Sequence, residues 1–526
     1  MDTFELVILL LIVIAALAHL SRNVQAPYPV LLVVAGLCLS FVPHLPRIHI
    51  PPELVFVIFF PPLLYPAALF TPWRDFRANL RPILLLAIGL VLATSTAVAL
   101  VAHHFIAGLP LAAGFVLGAI VSPPDAVAVT AIAGQIRVPR RIISILEGES
   151  LVNDATALVI YRFAVGAVVG GSFSASAASG MFIIVSVGGI AVGLAWGWIV
   201  SLVQRRLNDP PIQITISLIN PFLTYLIAER CGFSGVLAVV TAGLFLGWRS
   251  PEIIGPASRL QLYAIWEMIT FLLEGFLFLF IGLELPEIIQ TVSGRWVQFG
   301  GYVAAIVATV IAVRILWVLI ATYVPRLLIP PLRRIDPYPD WRHTTLIAWT
   351  GMRGADSLAA AIALPLMLPS GERFPGRDEI LILTFCVIFA TLVLQGGTLP
   401  TVIRWLGIKG DNLDDEEEHI ARTKANEAAL SFLKRSDVKR RYDPEIVKRL
   451  QAEYLDRIRE LEVCGSGGCG EESPLPPGFD DLEREALTIE RRMIIALRNE
   501  GAINDDALRS IQRDLDLAEA RLDGPV

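Results

Sequence analysis

Charged residues are scarce in this chain of 526 residues, and cysteines are scarcer. Only 17% of the residues are charged and 55% are hydrophobic, whereas soluble domains carry about 25% charged residues. The five cysteines have spacings that match neither a zinc site nor a disulfide framework, so we expect apolar surroundings and a reducing cytoplasm. This composition excludes a soluble globular protein and predicts a polytopic membrane protein.

Apolar runs follow one another through roughly the first 400 residues, each close to the ~20 residues that span a bilayer as a helix. The first run, "FELVILLLIVIAALAHL", has neither a basic stretch before it nor a small-residue cleavage site, so we interpret it as a membrane span. Proline, glycine and arginine punctuation predicts 13 spans, starting near residues 4, 28, 53, 82, 110, 142, 178, 211, 233, 262, 297, 343 and 378. The predicted fold is an all-α membrane protein.

Arginines give the expected orientation. The loops after odd-numbered spans contain 15 arginines and those after even-numbered spans contain five. Because positive residues accumulate on the cytoplasmic side, the N-terminus is expected outside the cell and the C-terminal tail in the cytoplasm.

The chain divides into a membrane domain, residues 1–406, and a tail, residues 407–526. The tail has nine more acidic than basic residues, and "EEEHIARTKANEAALSFLKR" and "DLEREALTIERRMIIALRNEGAI" have helical spacing. A glycine- and proline-rich linker, "CGSGGCGEESPLPPGF", separates them. A regulatory domain and a plain solvated helical hairpin explain this unit equally well. No motif for a nucleotide, nucleic acid, haem or metal cofactor is visible.

A proline pair interrupts the fifth span, in "GAIVSPPDAVAVTAIAG". Pro123 and Pro124 cannot donate backbone hydrogen bonds, so the helix must break or kink there. Broken helices inside a membrane line cavities and offer their ends to ions. Since Asp125 follows immediately, an ion site is favoured over a simple kink.

The sixth span, "LEGESLVNDATALVIY", contains two carboxylates on adjoining faces. Ser150 and Asp154 share one face, while Glu149 and Asn153 form the adjacent stripe. Ionisable groups at this depth are functional candidates. We expect Asp154 to face a cavity and Glu149 to face a buried cation such as Arg314.

The twelfth span, "AWTGMRGADSLAAAIALP", contains glycines together with Arg353 and Asp356. Spans five and twelve are seven apart, as expected for two six-helix repeats of inverted topology. Interrupted spans at matching positions in two halves indicate a substrate site between them.

The three stretches above, together with "SGVLAVVTAGLFLG" and "FLFLFIGLEL", resemble the Na+/H+ exchangers of the cation:proton antiporter-1 family. They lie in the family's order across about 300 residues. The resemblance implies a homodimer in the cell (plasma) membrane, with crossed broken helices five and twelve in a bundle that moves as an elevator. It also implies electroneutral exchange of a monovalent cation for a proton.

Residue roles follow from the resemblance. Asp154 alternately binds the transported Na+ or protons, with Ser150 as a ligand and Asn153 as an organiser of the site. Glu149 pairs with Arg314. The unwound fifth span supplies further ligands, and the positions implied are Asp125, Ser122 and the Pro124 carbonyl.

Three positions depart from the family pattern. Pro124-Asp125-Ala126 stands where Thr-Asp-Pro is common, Pro66 stands at a usual acidic position of the third span, and Asp356 replaces an apolar residue. The missing acid is a usual partner of the arginine at 353. We therefore expect Asp356 to be the structural partner of Arg353, with a second proton-carrying role for Asp356 as the alternative. If the helix breaks between them, Asp125 is the other candidate partner.

The expected function is exchange of Na+ for protons, with K+ and Li+ as alternative cations, K+ preference as the alternative function, and no cofactor. A cation channel would also use buried carboxylates and broken helices. The motif "GFSG" around Ser234 fits an intramembrane serine protease, which needs a helix-borne histidine. We interpret Ser234 instead as a small residue that allows close helix contact.

Overall fold

The computed structural model describes residues 3–24, 28–42, 52–126, 138–170, 175–207, 209–292, 296–408, 413–463 and 479–522. The predicted tail linker, with Cys464 and Cys469, lies almost entirely outside these residues, as does the continuation of the fifth span, 127–137. Within the described ranges every regular element is a helix, apart from one isolated bridge between Met367 and Arg373. The helices are α1 Thr3–Val24, α2 Tyr28–Ser40, α3 Pro52–Ile58, α4 Phe60–Leu69, α5 Trp73–Ala78, α6 Leu80–Leu84, α7 Val91–Phe105, α8 Leu111–Val121, α9 Arg140–Gly170, α10 Ala175–Gln204, α11 Pro210–Arg230, α12 Gly235–Ile253, α13 Pro256–Val292, α14 Trp296–Leu328, α15 Pro330–Ile335, α16 Trp341–Trp349, α17 Ala355–Ile362, α18 Arg377–Thr391, α19 Gly397–Leu406, α20 Leu413–Leu433, α21 Ser436–Arg441, α22 Pro444–Val463, α23 Phe479–Glu500 and α24 Asp505–Leu522.

Within the described residues each of the 13 predicted spans contains helix, and the fifth and twelfth are interrupted. In the described part of the chain eight helices are long and apolar enough to cross a membrane, and four shorter apolar helices accompany them. Two of the long helices contain a π-helical turn, Leu85–Leu90 between α6 and α7 and Leu392–Gly396 between α18 and α19. The twelfth span is divided into α16 and α17.

Glycines bring several membrane helices into backbone contact. A Cβ on Gly36 of α2 would lie 2.9 Å from the Cα of Gly282 in α13, and one on Gly114 of α8 would lie 2.8 Å from the Ala99 carbonyl oxygen of α7. Lipid tails are as apolar as leucine, so small residues that permit close approach hold such helices together.

The tail forms its own apolar clusters and also docks on the membrane domain. Arg259, in the first turn of α13, forms a bidentate ion pair with Asp516 of α24 at 2.7 and 2.8 Å, and their side chains are 5% and 2% exposed. The Asp505 carboxylate accepts a hydrogen bond from the Arg74 backbone N–H at 2.9 Å. The tail therefore packs against the membrane domain through buried polar contacts.

Arginines of three loops meet at the end of the molecule that the tail covers. Asp336 accepts hydrogen bonds from Arg81 at 2.6 Å, Arg141 at 2.9 Å and Arg326 at 2.8 Å. All three arginines follow odd-numbered spans, so three of the positive loops that set the predicted orientation lie together.

Candidate cation-binding site

The fifth span unwinds where its two prolines begin. Helix α8 ends at Val121, and residues 123–125 have no regular structure because Pro123 and Pro124 donate no backbone hydrogen bonds. Helix α9 supports this segment from the side. The Asn153 amide donates to the Pro124 carbonyl at 2.9 Å, and the Ser150 hydroxyl oxygen accepts from the Ala126 N–H at 3.3 Å.

The twelfth span unwinds from Thr350 to Gly354 and is joined to the fifth. The guanidinium of Arg353, which is fully buried, donates to the carbonyls of Val121 at 2.9 Å, Ser122 at 3.3 Å and Gly351. The Asp125 N–H donates to the Met352 carbonyl at 2.7 Å. Carbonyls released by one break thus accept hydrogen bonds from groups in the other, as membrane burial requires.

The predicted pair between Arg353 and Asp356 is wrong. Helix α17 begins at Ala355, so the break falls between the two residues and they do not share a helix face. The Arg353 guanidinium donates its hydrogen bonds to backbone carbonyls, two of them in the fifth span. Oδ1 of Asp356 is buried and receives no hydrogen bond from the described residues.

Asp356 instead lies beside Asp154. Both line the same small cavity of about 10 Å³. Asp154 is 7% exposed. The Asp125 carboxylate is near enough to act on both through its charge, and it packs so closely on Gly354 that a Cβ there would overlap it.

Glu149 and Arg314 form a buried bidentate pair. Their contacts are 2.7 Å and 3.2 Å, and both side chains are 1% exposed. Gly351 makes room for this arginine, since a Cβ at that position would lie 2.5 Å from the Arg314 Cδ. The two opposite charges neutralise each other, so this pair has a structural role.

The other predicted site residues surround the cavity without lining it. The lining comprises Phe60, Ala119, Ile120, Pro123, Asp154, Ala157, Leu158, Tyr161, Asp356, Ser357 and Ala360. Ser122 donates its hydroxyl to the Ala119 carbonyl at 3.1 Å, and Ser150, Asn153 and Pro124 hold the broken backbone. A hydroxyl oxygen retains a second lone pair after accepting one bond, so Ser150 keeps a capacity to bind a cation.

Tyr161 and Ser357 were not identified from the sequence. Tyr161 lies seven residues after Asp154, which is two helical turns along the same face. This spacing could have predicted that both side chains face the cavity. Ser357 is adjacent to Asp356, but nothing in the sequence fixes which of them faces the cavity.

Ser234 caps helix α12. Its hydroxyl oxygen accepts from the Leu237 N–H at 3.3 Å, and a Cβ on Gly189 of α10 would lie 2.6 Å from its carbonyl oxygen. This residue has the contacts of a helix cap at a close helix crossing.

A family model described as "Sodium/hydrogen exchanger, transmembrane" matches residues 7–405. The chain belongs to the sodium/hydrogen exchanger family. It is therefore a polytopic membrane transporter and not an enzyme, and the predicted family is confirmed.

Three relatives illustrate the family similarity. A Na+/H+ exchanger of Mycobacterium tuberculosis is 36% identical over 534 residues, which cover 99% of this chain and 97% of that protein. The sodium, potassium, lithium and rubidium/H+ antiporter of Bacillus subtilis is 35% identical over 412 residues, covering 76% of this chain and 61% of that protein. The Na+/H+ antiporter ApNhaP of Aphanothece halophytica is 34% identical over 438 residues, covering 82% and 80%.

The fold is also that of a solved exchanger. The sodium proton antiporter MjNhaP1 of Methanocaldococcus jannaschii superposes with a TM-score of 0.60 over 77% of this chain and 98% of that one, at 18% identity. The predicted all-α polytopic fold is confirmed.

Proposed function

We propose that this protein exchanges Na+ for protons and that Asp154 is the carboxylate for which the two compete. The observation that carries the proposal is the position of Asp154, which is 7% exposed, lines the small cavity and has no ion-pair partner among the described residues. Burial favours the protonated carboxyl and a bound cation favours the ionised one, so occupancy by one excludes the other.

The residues around Asp154 have supporting roles in this proposal. Asn153 and Ser150 hold the unwound segment through Pro124 and Ala126, and Ser150 has a lone pair free to coordinate the cation. Asp125 adds negative charge, and its position is fixed by the Met352 carbonyl. Arg353 fastens the two broken spans to each other.

Alternating access completes the cycle. We propose an elevator movement of the bundle with the crossed broken spans, in a homodimer in the plasma membrane, with the tail in the cytoplasm and no cofactor. The hydrogen bonds that join the two unwound segments support their movement as one body. Ion gradients then supply the driving force.

The decisive experiment compares Asp154→Asn with wild type in proteoliposomes with a pH-sensitive dye. The amide cannot cycle between protonated and cation-bound forms, so Na+-dependent proton movement should fall to the background of empty vesicles. Glu372→Gln is the matched control, because this carboxylate is exposed and is not among the residues that line the cavity, and it should keep wild-type exchange. Substantial exchange by a folded Asp154→Asn protein would refute the assignment.

The transported cation is tested in the same vesicles. The Bacillus subtilis relative is named for Na+, K+, Li+ and Rb+, so each ion should be added across a pH series. A K+-preferring exchanger would respond to K+ at lower concentrations than to Na+. A cation channel would pass Na+ without moving protons against their gradient.

A further inference from the structure

The sixth span and the broken twelfth span each contribute one carboxyl group to the small cavity. Asp154 comes from the middle of α9, and Asp356 comes from the first turn of α17. No arginine, lysine or histidine among the described residues forms an ion pair with either one.

Two hydroxyl groups in the same wall have no partner. Ser357 is 2% exposed and its Oγ makes no hydrogen bond to a described residue, and the same holds for the buried hydroxyl of Tyr161. Buried polar atoms without partners are rare in native proteins, and each calls for an explanation. Hydroxyl and carboxylate oxygens are the ligands that hard cations prefer.

The cavity volume limits what these groups can bind. About 10 Å³ accommodates roughly one water-sized sphere. Among the described residues no three His, Cys, Asp and Glu side chains are arranged to hold a metal ion. The available set is therefore two carboxylates with neutral oxygens, which suits one dehydrated monovalent cation.

The charges around Asp356 are mostly negative. Asp154 and Tyr161 face it from α9, Asp125 from the unwound fifth span and Glu274 from α13. Glu149 binds Arg314, and backbone carbonyls bind Arg353. Two arginines act on Tyr161 through their charges: Arg377, which donates to the Leu364 carbonyl, and Arg162, which pairs with Glu229. Among the described residues neither forms an ion pair with Asp154 or Asp356.

We propose that Asp356 is a second carboxylate of the transport site, that Asp154 and Asp356 bind one cation together, and that they release two protons as it binds. This inference rests on the proposed exchange at Asp154. With two protons and no cation the site is neutral, and with one cation and no protons it carries one negative charge. Each cycle therefore moves one net charge, in contrast to the electroneutral exchange that the family resemblance implies.

The first test measures Na+ binding to purified wild-type protein and to Asp356→Asn by calorimetry across a pH series. Where both sites are protonated, release of two protons raises the apparent affinity about a hundredfold per pH unit, and release of one proton raises it about tenfold. We expect the wild type to follow the first slope and Asp356→Asn the second. Ser357→Ala should weaken binding severalfold and leave the wild-type slope unchanged.

The second test records current from proteoliposomes on a solid-supported membrane after a step in Na+ concentration. Wild type should give a transport current, and Asp356→Asn should exchange Na+ for protons with almost none. The control Glu372→Gln should behave as wild type in both tests.

The inference is overturned if the Na+ affinity of the wild type rises only about tenfold per pH unit, or if the wild type exchanges Na+ for protons without a current. Both results are measured on the wild type, so they count even if Asp356→Asn does not fold. A two-proton slope that survives in a folded Asp356→Asn protein also overturns it. Exchange by Asp154→Asn would instead overturn the proposed function, so the two failures are distinguishable.

Discussion

Charged residues in the middle of the membrane domain differ in what they contact. Glu149 and Arg314 neutralise each other, and Arg353 is held by backbone carbonyls. Asp154 and Asp356 meet each other in a cavity. The first group therefore stabilises the fold, and the second is available to a ligand.

Helical spacing alone separates Glu149 from Asp154, because five residues rotate the side chain to another face. It also makes the pairing of Glu149 with a cation on a neighbouring helix predictable. The partner of Arg353 is not predictable in this way. Its contacts depend on where the backbone unwinds between Gly351 and Gly354, and glycines tolerate several such places.

Neutralising one member of the buried pair should be more harmful than neutralising both. Glu149→Gln and Arg314→Gln each leave an uncompensated buried charge, so each should lower the free energy of unfolding by about 3–5 kcal/mol. The double variant should lose less than the sum of the two single losses. Thermal unfolding in detergent measures the difference.

The exposed pair Arg205–Glu252, whose side chains are about 40% exposed, is the control. Its single neutralisations should each change stability by about 1 kcal/mol or less. Additive losses at Glu149 and Arg314 would show that the two residues are not coupled.

The broken elements are predictable in position but not in their mutual contacts. Pro123 and Pro124 locate the first break, and Gly351 and Gly354 indicate the second. That the carbonyls after α8 accept from Arg353 cannot be derived from either stretch, because the contact joins residues about 230 apart. The proximity of Asp356 to Asp154 was not predictable for the same reason, because these residues also lie far apart in the chain.

Gly354→Ala should impair exchange more than stability. The added Cβ would overlap the Asp125 carboxylate and displace it or the unwound segment. We expect a several-fold lower rate in the proteoliposome assay. Gly301→Ala in α14 is the control, since no atom lies within 4 Å of its added Cβ. Unchanged exchange in Gly354→Ala would show that this contact does not position Asp125.

Asp336 joins the ends of three elements through arginines. Burial by itself would raise the pKa of this carboxyl, but the hydrogen bond and charge of Arg141, with the charges of Arg326 and Arg81, lower the pKa below its usual value. Its contribution to stability is therefore present above the unfolded-state pKa of about 3.9 and is lost as the pH falls through the lower folded-state value.

Asp336→Asn should accordingly lower the melting temperature at pH 7, and its deficit relative to wild type should shrink below about pH 4. Thermal scans at a series of pH values check this. A deficit of the same size at every pH would exclude titration of Asp336 as its cause.

At the scale of the whole molecule, the tail connects helices that are distant in the chain. Besides Arg259 with Asp516, the Arg498 guanidinium donates to the Trp248 carbonyl at 3.1 Å, and Glu417 pairs with Arg140 at 3.4 Å. The acidic composition of the tail is compatible with a regulatory domain and with a solvated helical hairpin. The docking of the tail could not be predicted from its net charge, because it depends on a few ion pairs and hydrogen bonds between residues far apart in the chain.

Asp516→Asn should loosen the tail. The change removes the counter-charge of Arg259 and of Arg491, which contacts Asp516 at 3.0 Å. Amide hydrogen exchange in α24 and in the first turns of α13 should become faster. Asp514→Asn is the control, because Asp514 is 52% exposed and pairs with Arg422 inside the tail. Equal protection in both variants would show that Asp516 does not fasten the tail.

The contact of Gly36 with Gly282 has a mechanical consequence. Backbone touches backbone there, with a Cβ on Gly282 only 2.7 Å from the Gly36 Cα. Because the two backbones are in direct contact, one helix cannot shift along the other at this point without displacing a backbone segment. Helices α2 and α13 are therefore expected to move together as one rigid unit. Any displacement of the two broken spans must then be taken up by other contacts of the molecule.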